Sequence, residues 1–223
     1  MDWNWASNHQ HSINNHNEIV MEKDTYKTIL KPSKEVLFKE KGSKFFGYAF
    51  PVSSEEDVKE HIENLKKQHH SARHFCYAWQ LGKNYENYRA NDDGEPSNSA
   101  GMPIYGQLQS FEITNVLVVV VRYFGGTKLG VGGLIQAYKT TAQMALENCR
   151  IVEKTIDETF LLKFEYPEMN TVMRIIKDED ISVVNQKMEM DCEFEIAVRK
   201  KDAVRVFELF ENTYKVTIKQ IED

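Results

Sequence analysis

The feature of this sequence that most constrains its fold is a glycine-rich run between an apolar segment and a helical pattern. Residues 122–134 read RYFGGTKLGVGGL and contain five glycines: Gly125, Gly126, Gly130, Gly132 and Gly133. Glycine reaches backbone conformations with positive φ and lets two stretches of backbone approach closely. Residues 116–121 before the run are all apolar, which is typical of a strand buried on both faces. The sequence therefore predicts a buried strand, a tight glycine-dependent connection and a helix over about 134–148.

The distribution of glycine also divides the chain. All 11 glycines lie at or before Gly133, so the part that follows can be built from regular elements alone. We therefore expect one domain over residues 21–151 and a second over 152–223, joined near 149–153. Residues 1–20 are rich in Asn, His and Ser without periodicity, which predicts a disordered extension.

Charge is shared unequally between the two predicted domains. The formal net charge of the chain is −6, and residues 152–223 alone carry 17 Asp and Glu against 11 Lys and Arg. The second domain is therefore expected to repel a phosphate backbone at long range. No apolar run approaches the roughly 20 residues of a membrane-spanning helix. The three cysteines are widely spaced and signal neither a disulfide framework nor a zinc site. We expect a cytoplasmic protein with no membrane partner.

Hydrophobic periodicity predicts alternating strands and helices in the first domain. Ser53 and Glu56 have the spacing of a capping box, and Val58 and Ile62 recur at helical spacing, which predicts a helix over about 55–68. The other predicted elements are a strand over 44–52, a strand over 73–81, a polar loop over 90–103 and a buried strand over 114–123.

The second domain has a clearer pattern. Phe160, Leu162 and Phe164 alternate as in a half-buried strand. Two helical stripes follow, one made of Met169, Val172, Met173 and Ile176 and the other of Ala203, Val206, Phe207 and Phe210. Strands are predicted over 181–190, 192–199 and 216–218. The order βαββαβ is that of the ferredoxin-like motif, so the fold class of the whole chain is α+β.

The glycine-rich run has two interpretations. Backbone amides exposed at a helix start bind anions, and Arg122 at the strand end and Lys128 in the loop add positive charge. Alternatively, the glycines only permit tight turning and close packing. The run does not match nucleotide-binding motifs, because Val131 and Gly132 stand where a Walker A loop needs Lys and Ser or Thr. The Rossmann spacing also fails, so we expect no cofactor.

The polar segment at 91–99 concentrates acidic side chains. Asp92, Asp93 and Glu95 could hold Mg²⁺ or act as acid and base, with His74 from a preceding strand completing the site. The alternative is a turn in which the Asp side chains accept from backbone amides and Gly94 is left-handed. We favour the turn, because one short loop rarely supplies a whole coordination sphere.

Both charged segments are expected to contribute to one groove of mixed charge. Arg73, Arg122 and Lys128 would line it together with the acidic loop. Such a groove suits a protein surface or structured RNA better than a bare phosphate backbone. The candidate binding residues are Arg73, His74, Asp92, Asp93, Glu95, Arg122, Tyr123, Gly125, Gly126, Lys128, Gly130, Gly132 and Gly133.

Four stretches of the first domain form a combination that is far more specific than a lone glycine motif. They are SARHFC at 71–76, DDGEP at 92–96, AGMP at 100–103 and the whole run at 122–134. In these stretches, their order and their separations, the sequence resembles the IMPACT family, in its bacterial YigZ-like branch. The resemblance covers roughly residues 26–223.

The resemblance implies a first domain like domain 2 of ribosomal protein S5 and a second domain like the ferredoxin-like modules of elongation factor G. Eukaryotic relatives restrain a starvation-responsive kinase of initiation, which bacteria lack. What transfers is a non-enzymatic regulatory role in translation, with a translation-machinery or regulatory protein as partner, or a ribosome or structured RNA. Two alternatives stay open: a metal-dependent enzyme that uses Asp92, Asp93 and Glu95, and an RNA-binding protein that uses the same groove.

Overall fold

The computed structural model describes residues 23–221, which fall into two units. The first unit comprises Thr25–Lys154, and the second comprises residues 155–221 together with 23 and 24. The boundary falls after the segment proposed as a joint, because strand β7 (Ile151–Thr155) pairs with β1 (Thr25–Ile29). The predicted extension over 1–20 lies outside the described residues. Within residues 23–221, no helix is long and apolar enough to cross a membrane.

A five-stranded antiparallel sheet forms the centre of the first unit. Its strands are β2 (Val36–Glu40), β3 (Ser43–Pro51), β4 (His74–Leu81), β5 (Asn87–Asn91) and β6 (Val116–Tyr123). The order across the sheet is β2-β3-β6-β4-β5, so β6 lies in the middle. This position explains the continuous apolar sequence of β6, because a central strand covered on both faces exposes neither set of side chains.

Three helices cover the two faces of this sheet. They are α1 (Glu55–Gln68), α2 (Gly101–Ser110) and α3 (Gly130–Glu147). Helix α1 packs with Leu117, Val119 and Val121 of β6. Helices α2 and α3 pack with the alternate side chains of β6, including Val118 and Val120. Arg122 continues this second set, so the sheet directs its side chain toward the α2–α3 face.

At the N-terminus of α1, the capping box is one residue later than predicted. The helix begins at the expected residue, but the N-cap is Ser54 and its partner is Asp57. The Ser54 hydroxyl accepts from the Asp57 amide at 3.2 Å, and the Asp57 carboxylate accepts from the Ser54 amide at 3.2 Å. The Asp57 carboxylate also accepts from the Ser53 amide at 2.8 Å. Two consecutive serines each have an acid three residues later, so the sequence pattern alone could not choose between them.

The predicted polar loop over 90–103 is only partly a loop. Strand β5 extends to Asn91, and α2 begins at Gly101. Pro103 is compatible with this helix because a first-turn residue needs no intrahelical amide bond. Helix α3 also begins earlier than predicted, at Gly130 instead of 134. Three glycines therefore belong to its first turn, where their weak helix propensity hid the start.

The second unit has the element order β-α-β-β-α-β. Its elements are β8 (Asp157–Glu165), α4 (Met169–Asp178), β9 (Ser182–Lys187), β10 (Asp191–Arg199), α5 (Ala203–Glu211) and β11 (Val216–Ile221). The antiparallel sheet has the order β11-β8-β10-β9. The strand predicted over 181–190 ends at Lys187, because a turn separates it from β10. Met173, placed on the buried stripe by its spacing, is exposed on α4.

Candidate functional site

The charged sequence motifs meet at one end of the first unit's sheet. His74 at the start of β4 pairs in register with Arg122 at the end of β6. The loop at 92–100 joins β5, the strand beside β4, to α2 on the face toward which Arg122 points. The strand register and this loop therefore bring together side chains that are far apart in sequence.

A buried ion pair ties this loop to the sheet. Arg122 Nη1 donates to Glu95 Oε1 at 2.6 Å, and the two side chains are only 6% and 5% exposed. Tyr138 on α3 donates to the same carboxylate oxygen at 2.7 Å. The guanidinium carbon lies 5.5 Å from the centre of the Phe45 ring and 5.7 Å from that of Phe124. Arg122 is thus held between two aromatic rings and a carboxylate.

Cys76 is next to Tyr138 and is fully buried. Its Sγ is 3.0 Å from the Asp92 carbonyl oxygen and 3.3 Å from Tyr138 Oη, two acceptors for one thiol proton. Burial raises the pKa of the Cys76 thiol and also that of the Tyr138 hydroxyl. Both groups therefore favour their protonated forms, and Cys76 packs in the hydrophobic core of the first unit.

Asp92 stabilises the start of α2. Its Oδ1 accepts from the amides of Ala100 and Gly101 at 2.9 and 2.8 Å, and its Oδ2 accepts from the Asn98 amide at 2.8 Å. The N-cap residue of α2 makes no side-chain cap bond of its own. A carboxylate from the preceding loop therefore satisfies backbone donors that the helix leaves free.

Asp93 and Gly94 form the turn that was predicted from the sequence. Asp93 Oδ2 accepts from the Phe75 amide at 2.6 Å, and the Asp93 carbonyl oxygen is 2.9 Å from His74 Nδ1. Gly94 has φ +84°, so its backbone is left-handed as expected. Each of the three acids in this loop is thus bonded to protein groups. In the part of the chain from 23 to 221, no group of three His, Cys, Asp or Glu side chains is arranged to hold a metal ion.

The glycines of the run differ in what the surrounding structure requires of them. A Cβ on Gly125 would lie 1.9 Å from the carbonyl carbon of Gly42, so two backbone segments cross there. Gly126 and Gly130 have φ of +85° and +74°, which favours glycine. Gly132 has neither constraint: no positive φ, and no atom within 4 Å of an added Cβ. Nothing within the described fold requires glycine at this position.

The solvent side of the same region carries apolar and basic groups. Phe124 is 58% exposed although the buried Arg122 lies only two residues before it. Lys128 and Arg73 are also exposed. Helix α3 has no side-chain cap and no acid in its first turn, so its positive end is not neutralised there. Of the acids predicted to line a mixed-charge groove, Glu95 is buried in its pair with Arg122, whereas Asp93 is exposed.

Tyr123 points to the opposite face of the sheet, where it joins a second network. His69 Nδ1 is 3.0 Å from Tyr123 Oη, and His69 Nε2 is 2.6 Å from Tyr48 Oη. Tyr48 in turn donates to the Glu35 carboxylate. With Tyr48 donating to Glu35, the neutral His69 ring donates through Nε2 and accepts through Nδ1. Tyr123 is therefore separated by the sheet from the Arg122–Glu95 pair.

Two important residues were missing from the sequence prediction. Tyr138 was not considered, although a tyrosine on the buried stripe of a helix needs a partner for its hydroxyl, which is a usable signal. Phe124 was included only as part of the glycine-rich run. Its exposure has no sequence signal, because a phenylalanine next to a buried strand is most simply interpreted as core.

The fold and the site together define a class of protein. It is a two-unit α+β chain in which an exposed, basic, glycine-rich segment follows a strand that ends beside a buried ion pair. A family model described as the Impact N-terminal domain matches residues 41–146. The IMPACT family member YvyE of Bacillus subtilis is 34% identical over 160 residues, which cover 72% of this chain and 74% of that protein. The chain therefore belongs to the IMPACT family, as its motifs predicted.

Two further similarities agree with this assignment. The IMPACT family member YigZ of Escherichia coli is 32% identical over 147 residues, covering 65% of this chain and 72% of that protein. A solved structure described as the crystal structure of an hypothetical protein superposes with a TM-score of 0.68 at 26% identity. It covers 90% of this chain and 99% of that chain. The similarity to this structure thus extends over both units.

Proposed function

We propose that this protein is a non-enzymatic regulatory protein that binds a component of the translation machinery. Its contact surface would be residues 124–133 together with Arg73, which we call the glycine-run surface. Membership of the IMPACT family and the resemblance described above supply the link to translation. The contact surface is proposed from the geometry of this chain.

The observation that carries the proposal is an exposed aromatic side chain close to a buried ion pair. Phe124 is 58% exposed, whereas Arg122 two residues earlier is almost fully buried in its pair with Glu95. Aromatic residues are enriched at the centres of protein interfaces, where they bury large areas at low entropic cost. The unconstrained Gly132 would let a partner backbone approach the start of α3 closely.

We infer that each unit adopts the fold the resemblance implies. The β-α-β-β-α-β order of the second unit supports a ferredoxin-like module similar to those of elongation factor G. The antiparallel sheet of the first unit, with helices on both faces, would correspond to domain 2 of ribosomal protein S5. Both folds occur in proteins of the ribosome or its factors, which is consistent with the proposed role.

Co-sedimentation with ribosomes at two salt concentrations tests the proposal. The variant Arg73→Ala/Lys128→Ala should lose binding, because both side chains are exposed and belong to the proposed surface. The variant Lys31→Ala/Lys219→Ala removes the same charge from exposed positions elsewhere and should bind as the parent does. Equal binding by both variants would move the contact away from the glycine-run surface.

An RNA component of the ribosome is the second candidate partner. The basic side chains and the uncapped start of α3 are groups that contact phosphates. Direct RNA contact predicts a steep loss of affinity with salt, and neutralising two phosphate contacts should reduce the logarithmic slope by roughly 2. A protein partner predicts a weaker dependence on salt. The slopes of the parent and Arg73→Ala/Lys128→Ala proteins therefore distinguish the two partners.

A metal-dependent enzyme based on the acidic loop is less well supported. Asp92, Asp93 and Glu95 all accept hydrogen bonds from protein groups, so a metal would have to displace these bonds. We expect millimolar Mg²⁺ or Mn²⁺ to leave the melting temperature unchanged, since a ligand that binds the native state raises it. A cation-dependent increase that disappears in Asp93→Asn would favour the enzyme.

A further inference from the structure

The second unit exposes a group of large apolar side chains at one end of its sheet. Tyr166, Met188, Met190 and Tyr214 are 65%, 55%, 89% and 76% exposed. Single exposed apolar residues are ordinary, but several grouped together mark an interaction site. We call these four residues the tyrosine–methionine patch. It belongs to a different unit from the glycine-run surface, and no step of the proposed function uses it.

Strand register shows that the four residues are neighbours. The Tyr166 amide donates to the Met190 carbonyl oxygen at 3.4 Å, at the end of the β8–β10 pairing. Met188 and Met190 flank a single residue in the turn between β9 and β10. On the other side of β8, Val216 pairs with Phe164, which places Tyr214 beside the same strand end. The patch therefore runs across the adjoining ends of all four strands of this sheet.

The composition of the patch is typical of a protein-binding surface. Tyrosine offers a large, rigid ring with a polar tip and is enriched at interfaces. Methionine is flexible and polarisable, and methionine-rich surfaces adapt to different apolar side chains. The four side chains thus form an adaptable surface for one or a few apolar anchors of a partner.

The charges around the patch are mainly acidic. Four carboxylates lie within two residues of a patch member in the sequence: Glu165, Glu168, Glu189 and Asp191. Two lysines partly neutralise them, since Lys187 is 3.4 Å from Glu189 and Lys215 is 3.9 Å from Glu165. The net local charge is negative, as it is for the sequence of the whole second domain. An anionic lipid surface or a phosphate backbone would be repelled, and a second copy would oppose acid with acid.

We propose that the tyrosine–methionine patch is a docking site for a segment of another protein in which apolar anchor side chains are flanked by Lys or Arg. The anchors would pack on Tyr166 and Met190, and the basic flanks would face Asp191 and Glu168. This contact is additional to the one proposed for the glycine-run surface. The chain would thereby hold two partners, or two parts of one partner, through separate units.

Fluorescence anisotropy of labelled synthetic peptides with the full-length protein tests this inference. The probe peptide has the sequence Lys-Lys-Leu-Trp-Leu-Lys-Lys, and its counterpart has Asp in place of every Lys. The basic peptide should bind the parent protein and should lose about tenfold in affinity with Tyr166→Ser/Met190→Ser, as for truncated interface anchors. Met173→Ser/Val204→Ser changes two exposed apolar residues of helices and should bind as the parent does.

The charge argument has its own control. Glu168→Gln/Asp191→Asn should weaken the basic peptide several-fold, and the acidic peptide should bind the parent more weakly than the basic one does. Absence of binding, equal binding by both peptides, or a patch variant that binds normally would overturn the proposal. Sedimentation could instead show a dimer that Tyr166→Ser/Met190→Ser converts to a monomer. That result would also overturn the proposal, because a second copy of the chain would then cover the patch. Arg73→Ala/Lys128→Ala should leave peptide binding unchanged, so the two proposals can fail separately.

Discussion

Arg122 and Glu95 form an ion pair in which both side chains are more than nine-tenths buried, with 2.6 Å between Nη1 and Oε1. Arg122 ends the central strand of the sheet, and Glu95 belongs to the loop that leads into α2. Tyr138 of α3 donates to the same carboxylate oxygen. The pair therefore joins a strand, a loop and a helix at the base of the glycine-run surface.

Removing the carboxylate of this pair should destabilise the protein strongly. Glu95→Ala leaves the Arg122 guanidinium buried without its counter-charge, which costs about 3–5 kcal/mol in the free energy of unfolding. Denaturant titration of the parent and the variant measures this loss. Glu63→Ala breaks the exposed pair with Lys66 and should cost less than about 1 kcal/mol. Similar small losses for both variants would contradict the structural role of Glu95.

Adding a side chain at Gly125 should also destabilise the fold. An alanine Cβ at this position would lie 1.9 Å from the carbonyl carbon of Gly42 and 2.1 Å from the Ser43 amide nitrogen. Backbone atoms cannot rotate away, so we expect a loss of at least about 2 kcal/mol, as for overpacked sites. A thermal melt of Gly125→Ala compared with the parent tests this expectation. An unchanged melting temperature would contradict the close approach of the two backbone segments.

Gly132→Ala should have the opposite effect on stability and should still weaken binding. The added methyl group meets no atom within 4 Å, and alanine in a helix is favoured over glycine by roughly 0.5–1 kcal/mol. If a partner backbone approaches the start of α3, the same methyl group obstructs it. Melting temperature and ribosome co-sedimentation should therefore change in opposite directions. A stabilised variant that binds normally would mean that Gly132 is not at the contact.

Acid should destabilise the protein partly through His69. Burial lowers the pKa of its imidazole, although the nearby Glu35 carboxylate opposes this. The unfolded chain, with an ordinary histidine pKa near 6.5, therefore binds this proton more readily than the native protein. The contribution of His69 is complete above that pH and is lost as the pH falls through the lowered value.

The corresponding measurement compares denaturant unfolding at about pH 7.5 and about pH 5. The parent should lose more stability on acidification than His69→Gln, which cannot be protonated. His70→Gln changes an exposed neighbour and should behave as the parent does. If His69→Gln loses as much stability as the parent, the buried neutral state of His69 would be disproved.

Much of the fold followed from periodicity, because its signals are local. The alternation of Phe160, Leu162 and Phe164 predicted β8, and the continuous apolar run predicted the central strand β6. The starts of α2 and α3 were missed for a physical reason. Asp92 caps α2 from eight residues before Ala100, and α3 begins in glycines that disfavour helices in isolation. Tertiary contacts determine where both helices begin, and a short window of sequence does not contain those contacts.

The candidate site was predictable in its members but not in their roles. The acidic loop and the glycine-rich run were both expected to contribute, and Glu95 does pair with Arg122. The burial of the Arg122 and Glu95 side chains could not be inferred, because one sequence does not show that Glu95 reaches Tyr138 of α3. Tyr123 was assigned to the same groove from its place in the run. The strand pleat directs it to the other face, toward His69.

The most direct test of the central claim is photo-crosslinking from position 124 in growing cells. Phe124→benzoylphenylalanine places a crosslinking group at the exposed ring on which the proposal rests. Tyr88→benzoylphenylalanine provides a similarly exposed aromatic control, since Tyr88 is 55% exposed and Phe124 is 58% exposed. We predict that position 124 crosslinks to a ribosomal protein, ribosomal RNA or a translation factor, and that position 88 does not. Crosslinking of both positions to the same products, or of neither to the translation machinery, would contradict the account.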